Sequence, residues 1–588
     1  MNKYKKFMYI GIFILLISLV SSAGTYAWFT WISPSNTNVT LSIGNLADVT
    51  FTSGPDINIS NLAPVYNYTD GVSTTFTVRN TNSTDSLLYK VKLEITSIAN
   101  ELKDESFKYT LLKDNKVVKT GNLKDAINGN TLILNTSSLD KGSTSSPKIS
   151  TFKLYFWIDG NIENNFNMMN KSLVGKIDVG VETNVITNTE SNISSTSKFL
   201  NTEVPRQNIT TLKVVDNLDI PEGATVVDVS KNSDNTIKMW YNEADANGNY
   251  DITIGSNNII YANPSGSNLF SNLTNVTSID LSNLDTSGIA GMNGMFENDK
   301  VLTNIVFGDN FNTSNATNMT AMFRGCNNLT ELDLRMFDTS NVKSMYNMFA
   351  ESGIKNVNLS SFVTHNLDGG GMQRMFLKCT KLESLDLSSF DTSSITNFEK
   401  TFGGCSSLTK LDVSNFDTSN VTNFYDMFNG CSSLKELDVS GFDTSKAVIM
   451  GNMFSGCSSL ESLDVSHFNT SNVKGMQNMF SSLKCSLDLS NFDTSNVDNL
   501  SRMFMYYKNE RLDLSSFDTS KVTSTEHMFA SSSIEYIDLR NADFSNVTDY
   551  TNMFKGISKS TIIYLKDTTG NRNFMNTNFN NITATYIS

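Results

Sequence analysis

The chain has 588 residues, a length that exceeds one compact core and predicts several domains or a repeat array. Hydrophobic residues make up 39% of it and aromatic residues 10%, which is enough to bury a core. The net charge of −14 argues against nucleic acid as a ligand, because binding to a phosphate backbone needs clustered Lys and Arg.

The first 27 residues have the layout of a secretory signal. A segment with three Lys precedes an apolar run from Phe7 to Val20, and Thr25 and Ala27 are small residues at the −3 and −1 positions of a cleavage site. We therefore predict a signal peptide over 1–27, cleavage after Ala27, and a secreted or cell-surface protein. The alternative is an uncleaved segment that holds the chain at the membrane.

Short segments of alternating apolar and polar residues follow from 28 to about 185. Examples are "TTFTVRN", "LLYKVKLEIT" and "TFKLYFWID", which are separated by Asn, Gly, Asp and Ser. Period-two patterning with closely spaced turn residues is typical of two packed antiparallel sheets. We predict a jelly-roll-like antiparallel β-sandwich over 28–185.

This region resembles the camelysin and exported fibre-subunit family of bacteria. The likeness covers residues 21 to about 184 and rests on "GTYAWFT", "VTLSIGNLADVTF", "INISNLAPV" and "FTVRNTNSTDSLLYKVKLEI". Some members are described as metallopeptidases, and others form extracellular fibres, partly by strand exchange. The resemblance implies cleavage after Ala27 and self-assembly through this domain. It gives the peptidase activity no support, because the sequence has no H-E-x-x-H motif and all three His lie beyond this domain.

The composition changes near residue 265. All seven Pro and all four Trp precede that point, whereas all six Cys follow residue 325. A polar low-complexity stretch predicts a linker over 186–204. Strand patterns around Gly-Asn turns predict a β-rich cap segment over 205–272, and the last residues, 567–588, are predicted as a C-terminal tail.

A repeat of 24–27 residues dominates the region 273–566 and predicts a solenoid, in which stacked units share one core. Its marker is a Phe that recurs eleven times, at Phe296, Phe323, Phe349, Phe376, Phe402, Phe428, Phe454, Phe480, Phe504, Phe529 and Phe554. In one unit, "SLKELDVS" has the L-x-x-L-x-L arrangement of a short parallel strand. In "SNVTNFYDMF", Val421, Phe424 and Phe428 fall on one helix face, which predicts a helix of two to three turns capped by the preceding "DTSN". We expect a leucine-rich-repeat-type α/β solenoid of about eleven coils.

The repeated unit, such as "MFNGCSSLKELDVSGFDTS" at 427–445, is similar to the BspA-like leucine-rich repeat surface proteins over about 273–566. That family is extracellular, occurs on bacteria and some protozoa, and is associated with adhesion to host proteins and other cells. Its ligands differ between members, so the resemblance implies a class of function and no particular partner.

Cys and His residues were weighed as candidates for chemistry. Five of the six Cys follow the repeat Phe by three residues, which predicts a column of buried thiols, with a disulfide framework as the alternative. His365, His467 and His527 occupy different positions in their units and predict neither a metal site nor a catalytic triad. We expect no catalytic and no cofactor-binding residue.

One Asp lies between the two inward residues of most strands, so alternation places a column of carboxylates on the outer face of the sheet. The candidate binding column is Asp333, Asp386, Asp412, Asp438, Asp464, Asp488, Asp513 and Asp538. Asp280 has the same position, and Val306 and Asn358 interrupt the series. Carboxylates about 4.8 Å apart repel by roughly 0.9 kcal/mol even in water. Solvation, hydrogen bonding to Ser and backbone groups, or a bound cation or basic partner would offset that repulsion.

Calcium prefers oxygen ligands but needs six to eight, more than one Asp per coil supplies, so Ca²⁺ stays an alternative and no confident metal ligand is assigned. A second column, the Asp of "FDTS", is predicted to close a turn and cap the helix.

The sequence favours a non-enzymatic, exported bacterial surface protein whose solenoid binds an extracellular protein, a glycan or neighbouring cells. The alternative is a structural subunit of an extracellular fibre or matrix that assembles through the N-terminal sandwich. We expect contact with a membrane only through an uncleaved signal segment.

Overall fold

The computed structural model describes residues 37–41, 56–59, 62–80, 87–124, 131–139, 145–161, 165–169, 171–181, 204–230, 235–264, 266–579 and 582–587. The chain divides into two compact units, Met1–Val181 and Glu182–Ser588. The predicted signal at 1–27, its cleavage site after Ala27 and nearly all of the predicted linker lie outside the described residues. Within those residues, no helix has the length and apolar character needed to cross a bilayer.

Ten described strands build the first unit, in two sheets. They are β1 (Thr37–Leu41), β2 (Asp56–Ile59), β3 (Pro64–Val65), β4 (Val72–Asn80), β5 (Leu87–Ile98), β6 (Phe107–Lys113), β7 (Lys116–Asn122), β8 (Thr131–Leu139), β9 (Lys148–Asp159) and β10 (Leu173–Val181). One sheet has the order β1-β4-β9-β6-β7, with β3 beside β9, and the other has the order β2-β10-β5-β8.

Side chains from both sheets fill one core. Phe76 of β4 stacks on Phe152 of β9 at 5.2 Å, and Tyr89 of β5 in the other sheet meets Phe152 edge-on at 6.2 Å. The predicted β structure is confirmed, but two strand pairs, β1 with β4 and β3 with β9, are parallel. Period-two patterning does not encode strand direction, so the sequence could not show this. The jelly-roll-like connectivity stays a prediction.

The second unit combines strands, turns and one described α-helix. Its elements are β11 (Ile209–Val215), β12 (Thr225–Asp228), β13 (Lys238–Tyr241), β14 (Tyr250–Gly255), β15 (Ile260–Tyr261), β16 (Ser278–Leu281), β17 (Leu284–Asp285), β18 (Asn304–Phe307), β19 (Glu331–Asp333), β20 (Asn356–Asn358), β21 (Arg511–Asp513), β22 (Tyr536–Leu539), β23 (Ile562–Lys566), α1 (Thr569–Asn578) and β24 (Ala584–Ile587). The segment predicted as a cap joins the solenoid directly, because its sheet has the order β12-β13-β14-β11-β16-β18.

A continuous stack of Phe rings runs through the coils. The eleven predicted Phe all belong to it, and Phe270, from the predicted cap segment, precedes them at 5.9 Å from Phe296. The spacing between neighbouring rings stays similar along the stack, for example 5.8 Å for Phe402 to Phe428 and 5.4 Å for Phe529 to Phe554. All of these rings are buried. Because burying one such ring contributes roughly 1.5–3 kcal/mol, the stack is a main source of stability.

The prediction of a helix in each coil is wrong. From 266 to 566 the described chain has no α-helix, and the segment around the repeat Phe is a series of turns. The residues two before and two after this Phe have left-handed backbone, for example Asp426 at φ 57° and Gly430 at φ 75° on either side of Phe428. An α-helix of L-residues cannot contain such residues, which cost about 1–2 kcal/mol each unless they are Gly. The apolar residues spaced three and four apart therefore face the core from a series of turns and not from a helix.

Hydrogen bonds between coils explain this geometry. Around Phe428, the amides of Phe424, Asp426, Phe428 and Gly430 donate to backbone carbonyls of the next coil at 2.9, 3.1, 3.0 and 2.7 Å. The same four amides of other coils are donated in the same direction, so this side of the solenoid is a one-way backbone ladder. Backbone groups that a helix would satisfy internally are satisfied here by the neighbouring coil.

Each end of the coil stack is covered by a different device. At the first coil, the guanidinium of buried Arg206 donates to the backbone oxygens of Asn268, Leu269 and Ser271 at 3.3, 3.2 and 2.6 Å. At the other end, the predicted tail folds instead: α1 lies over the last coil, and Phe579 contacts Phe554 edge-on at 5.0 Å. β24 continues the sheet beside β23. Both devices shield the Phe stack from water.

Replacing Ser482 by Gly tests the left-handed backbone conformation two residues after the repeat Phe. Ser482 has φ 66°, at the position that Gly430 and Gly456 occupy in their own coils. Because Gly adopts this conformation freely, we expect the free energy of unfolding to stay unchanged or rise by about 1 kcal/mol. In a helix interior the same change would lower it by about 1 kcal/mol. Urea denaturation measures the difference. Gly430→Ala is the matched control and should lower the free energy of unfolding by about 1–2 kcal/mol.

Replacing Arg206 by Met tests the cover of the first coil. The change removes three hydrogen bonds from a charged donor, each of which typically contributes roughly 1.5–3 kcal/mol. We expect the free energy of unfolding to fall by about 3 kcal/mol or more, together with faster amide exchange in the first coil. Lys378→Met, at an exposed site, should change it by less than about 0.5 kcal/mol. Equal effects of the two changes would contradict a capping role for Arg206.

Candidate functional site

The outer face of the solenoid sheet carries the predicted carboxylate column. Asp386, Asp412, Asp438, Asp464 and Asp488 are exposed, and the residues on either side of each point into the core. We call these five the acidic column. The structure thus places them on one face in five successive coils, as alternation along the strand predicts.

Each Asp of the acidic column closes a turn in its own coil. The Oδ1 atom of Asp438 accepts a hydrogen bond from the backbone amide of Ser440 at 2.9 Å, and the other four make the equivalent bond at 3.0 Å. Hydrogen bonds from the Ser side chain and amide hold the pKa of Asp438 below its usual value. The pKa values of the other four are lowered by the equivalent Ser. One carboxylate oxygen is therefore used by the turn.

Two members of the predicted column differ because an Arg neutralises them. Arg335 forms two-pronged hydrogen bonds to Asp333 and lowers the pKa of its carboxyl to about 2. Arg540 forms the equivalent two-pronged hydrogen bonds to Asp538 and lowers the pKa of its carboxyl. Asp538 is buried and so is no open binding group. Asp513 is exposed and bonds the amide of Ser515 at 3.0 Å. Neither Arg was identified from the sequence, although an Arg two residues after the column Asp is a readable signal.

The strand ladder is incomplete where the free carboxylates lie. β16 pairs with β18, β19 with β20, β21 with β22, and β22 with β23. From 384 to 490 the coils have no assigned strand, and the corresponding segments show an isolated bridge between Lys410 and Glu436. Repulsion between neighbouring carboxylates opposes the close approach that a ladder needs. The prediction of one strand in every coil is therefore wrong for this stretch.

Three concavities follow this face. The first, of about 1170 Å³, lies where the ladder is interrupted between β18 and β19 and is lined by residues of 304–307, 331–336, 356–360 and 384–386. We call it the Val306–Met336 concavity, because these two apolar side chains are 39% and 41% exposed. Two smaller concavities, of about 310 and 460 Å³, lie on the acidic column. The sequence analysis noted Val306 only as an exception in the column and did not identify Met336.

The Asp of "FDTS" closes a turn, as predicted, but caps no helix. Asp417 Oδ1 accepts from the amide of Ser419 at 2.9 Å, and Asp443 makes the same bond to Ser445 at 2.9 Å. The next residue, a buried Thr, joins the coils: Thr418 Oγ1 donates to the carbonyl of Asp443 at 3.0 Å. This part of the coil is therefore committed to scaffold.

The thiols also belong to the scaffold. All six Cys are buried and free, and Cys431 Sγ donates to the carbonyl of Phe402 in the preceding coil at 3.2 Å. Burial raises the pKa of Cys431 to about 12, which keeps the thiol protonated. The three His lie apart: His467 bonds the Val439 carbonyl at 3.0 Å, and His527 bonds Glu526 at 3.1 Å. Among the described residues, no three His, Cys, Asp or Glu side chains come together as a metal site.

Comparison with known proteins identifies a family model that matches the repeat region of the chain. Residues 265–370, 370–487 and 461–567 match the model described as "Mycoplasma protein of unknown function, DUF285", and together they cover just over half of the chain. A search of curated proteins gave no match. Among solved structures, the chain is similar to "Functional domain of InlJ from Listeria monocytogenes includes a cysteine ladder", with 16% identity and a TM-score of 0.25. This match covers 50% of the chain and 66% of that structure, slightly less than two thirds of its length.

Changing Asp412 and Asp438 to Asn together tests the turn-closing role. Their folded pKa values lie below the unfolded value of about 3.9, so their stabilising contribution is present above that pH and is lost as the pH falls through the folded values. Asn keeps the Oδ1 acceptor but does not titrate. We expect the variant to lose less stability than the natural chain between pH 5 and pH 2.5. Thermal unfolding across this range measures it, and an unchanged slope would contradict the assignment.

Proposed function

The chain belongs to the DUF285 family, and from this premise we propose that it is an exported, non-enzymatic surface protein whose solenoid binds an extracellular protein, a glycan or neighbouring cells. The binding surface in this proposal is the outer sheet face. The family description assigns no function, and the geometry of the coils is what supports a binding role. Export itself rests on the predicted signal at 1–27.

The observation that carries the proposal is the row of concavities along the outer face, where the acidic column lies. On the side of "FDTS", Thr hydroxyls and backbone groups are bonded to neighbouring coils. On the outer face, five successive Asp each use Oδ1 for a turn, and no hydrogen bond to their Oδ2 occurs among the described residues. Polar groups without an internal role, beside open concavities, are what a binding face offers.

An enzymatic role has less support in the same residues. The lowered pKa values keep the column carboxylates ionised at neutral pH, so they are poor proton donors. The three His are separated and mostly engaged in local hydrogen bonds. A calcium role is the weaker alternative, because one carboxylate per coil provides few of the oxygens that Ca²⁺ requires.

The runner-up is a fibre or matrix subunit that assembles through the N-terminal unit. β7 lies at a sheet edge and exposes Val117, which is 49% exposed, so it offers an unpaired strand for addition. It also carries Lys116 and Lys119 along that edge, and such charges oppose pairing between edges. We therefore rank fibre assembly second. Electron microscopy of the purified chain at high concentration would show fibres if the ranking is wrong.

Replacing the acidic column by Asn tests the binding face. The variant carries Asp→Asn at 386, 412, 438, 464 and 488, and Asn358 shows that Asn fits this position and keeps the turn bond, at 3.0 Å to Ser360. We expect at least a tenfold loss of binding by beads coated with the full chain, scored on arrays of extracellular proteins and glycans and on cultured cells.

The matched control removes the same five charges from the "FDTS" turns, with Asp→Asn at 391, 417, 443, 493 and 518. Asn469 shows that Asn fits there too, bonding Ser471 at 3.1 Å. We expect this control to keep its binding. Equal loss in both variants would point to net charge alone, and unchanged binding in both would remove the outer face from consideration.

A further inference from the structure

The acidic column and the Val306–Met336 concavity lie on one face and differ in character. Three column positions at the concavity carry no unpaired charge: Val306 is apolar, Asp333 is paired with Arg335, and Asn358 is an amide. The fourth, Asp386, also begins the acidic column. In the next five coils every column position is an exposed carboxylate. The outer face therefore has an apolar end that continues into a charged stretch.

The apolar end is built by a local change in the coil. In most coils the column Asp closes the turn by accepting the amide two residues later, as Asp280 does from Ser282 at 3.0 Å. In the Val306 coil the residue two positions on is Gly308, where a Cβ would lie 2.1 Å from the Ser282 carbonyl oxygen. The backbone itself approaches the preceding coil there, and column position 306 of this coil carries an apolar side chain in place of the carboxylate.

Met336 adds to the same opening. It directly precedes Phe337, at the position where neighbouring coils carry Ser389, Asn415 and Gly441. A long apolar side chain that is 41% exposed offers a flexible surface to a partner. Two unrelated positions in adjacent coils therefore contribute apolar groups to one concavity.

The charges around the opening decide the class of partner. Glu331 and Asp386 line the concavity without an Arg of their own, which opposes anionic ligands. The five carboxylates beyond it span about 19 Å, at about 4.8 Å per coil. An extended polypeptide of about six residues covers that distance. A second copy of this chain is a poor occupant, because the chain has a net charge of −14.

We propose that this face docks an extended segment of a basic polypeptide, which seats an apolar side chain between Val306 and Met336 and lays Lys or Arg side chains along the acidic column. The inference rests on the proposed binding function and specifies its partner class. Neutralising the column would also remove the repulsion between coils, so docking is expected to tighten the backbone from 384 to 490, where the strand ladder is incomplete.

Synthetic ten-residue peptides test the proposal against the full chain. The probe has one Leu followed by alternating Lys and Ser, and its controls replace Leu by Gly, or every Lys by Glu. We expect binding of the Leu-Lys peptide to be at least tenfold tighter than that of the Gly form, to weaken with added salt, and to vanish for the Glu form. Hydrogen exchange of amides in 384–490 should slow on binding.

Two variants separate apolar seating from simple charge attraction. Val306→Asp installs the residue that other coils carry and adds a negative charge, and Met336→Ser copies Ser389. Charge attraction alone predicts tighter binding of the Lys peptide to Val306→Asp. Our proposal predicts at least fivefold weaker binding of the Leu-Lys peptide to each variant, with little change for the Gly peptide. Tighter binding to Val306→Asp, or indifference to Leu, would overturn it.

A neutral glycan array distinguishes failure of the basic-polypeptide proposal from failure of the proposed binding function. If the acidic-column Asn variant loses glycan or cell binding while no peptide binds, the outer face is a binding face and the basic-polypeptide partner is wrong. If neither peptides nor arrays respond to changes on this face, the proposed function is overturned as well.

Discussion

The one-way backbone ladder between coils is the constraint on which the solenoid depends. In each coil, amides next to the repeat Phe are donated to carbonyls of the next coil, as Phe428 donates to Met453 at 3.0 Å. A coil that bonds to its neighbour in this way must keep a fixed spacing and phase, and this brings the Phe rings into one stack. It also leaves carbonyls of the first coil unmatched, and Arg206 donates to three of them. At the other end, Phe579 next to α1 covers the last ring of the stack.

The same constraint divides the surface of each coil by role. Some positions that face the neighbouring coil carry a particular group, such as the Thr418 hydroxyl, because its loss would leave a buried partner unsatisfied. The outer column requires only a turn acceptor. Asn358 supplies it as well as Asp438 does. Substitutions on the outer face are therefore expected to change stability little, which agrees with the proposed binding role.

Much of this architecture could be predicted from the sequence, and the failures have physical causes. The repeat period and the Phe stack followed from spacing, and the exposed acidic column followed from strand alternation. The predicted helix was wrong because apolar residues spaced three and four apart can also face the core from a series of turns that includes residues with left-handed backbone. Gly404, Gly430 and Gly456, at one position in successive coils, were the signal that could have shown it. The incomplete ladder from 384 to 490 was missed because it depends on repulsion between coils that a single-coil pattern does not contain.

The acidic column shows how stability and binding meet in one residue. Each carboxylate stabilises its own turn through Oδ1, yet five of them in succession repel one another and coincide with the stretch where the strands are unpaired. Where an Arg lies two residues on, as at Asp333 and Asp538, the charge is neutralised within the coil, and both residues lie in strands. The coils between these two Arg lack such a partner, although the scaffold accepts Arg at that position. This face keeps its carboxylates unpaired beside coils that pair theirs, and in the proposed function that charge is available to a ligand outside the chain.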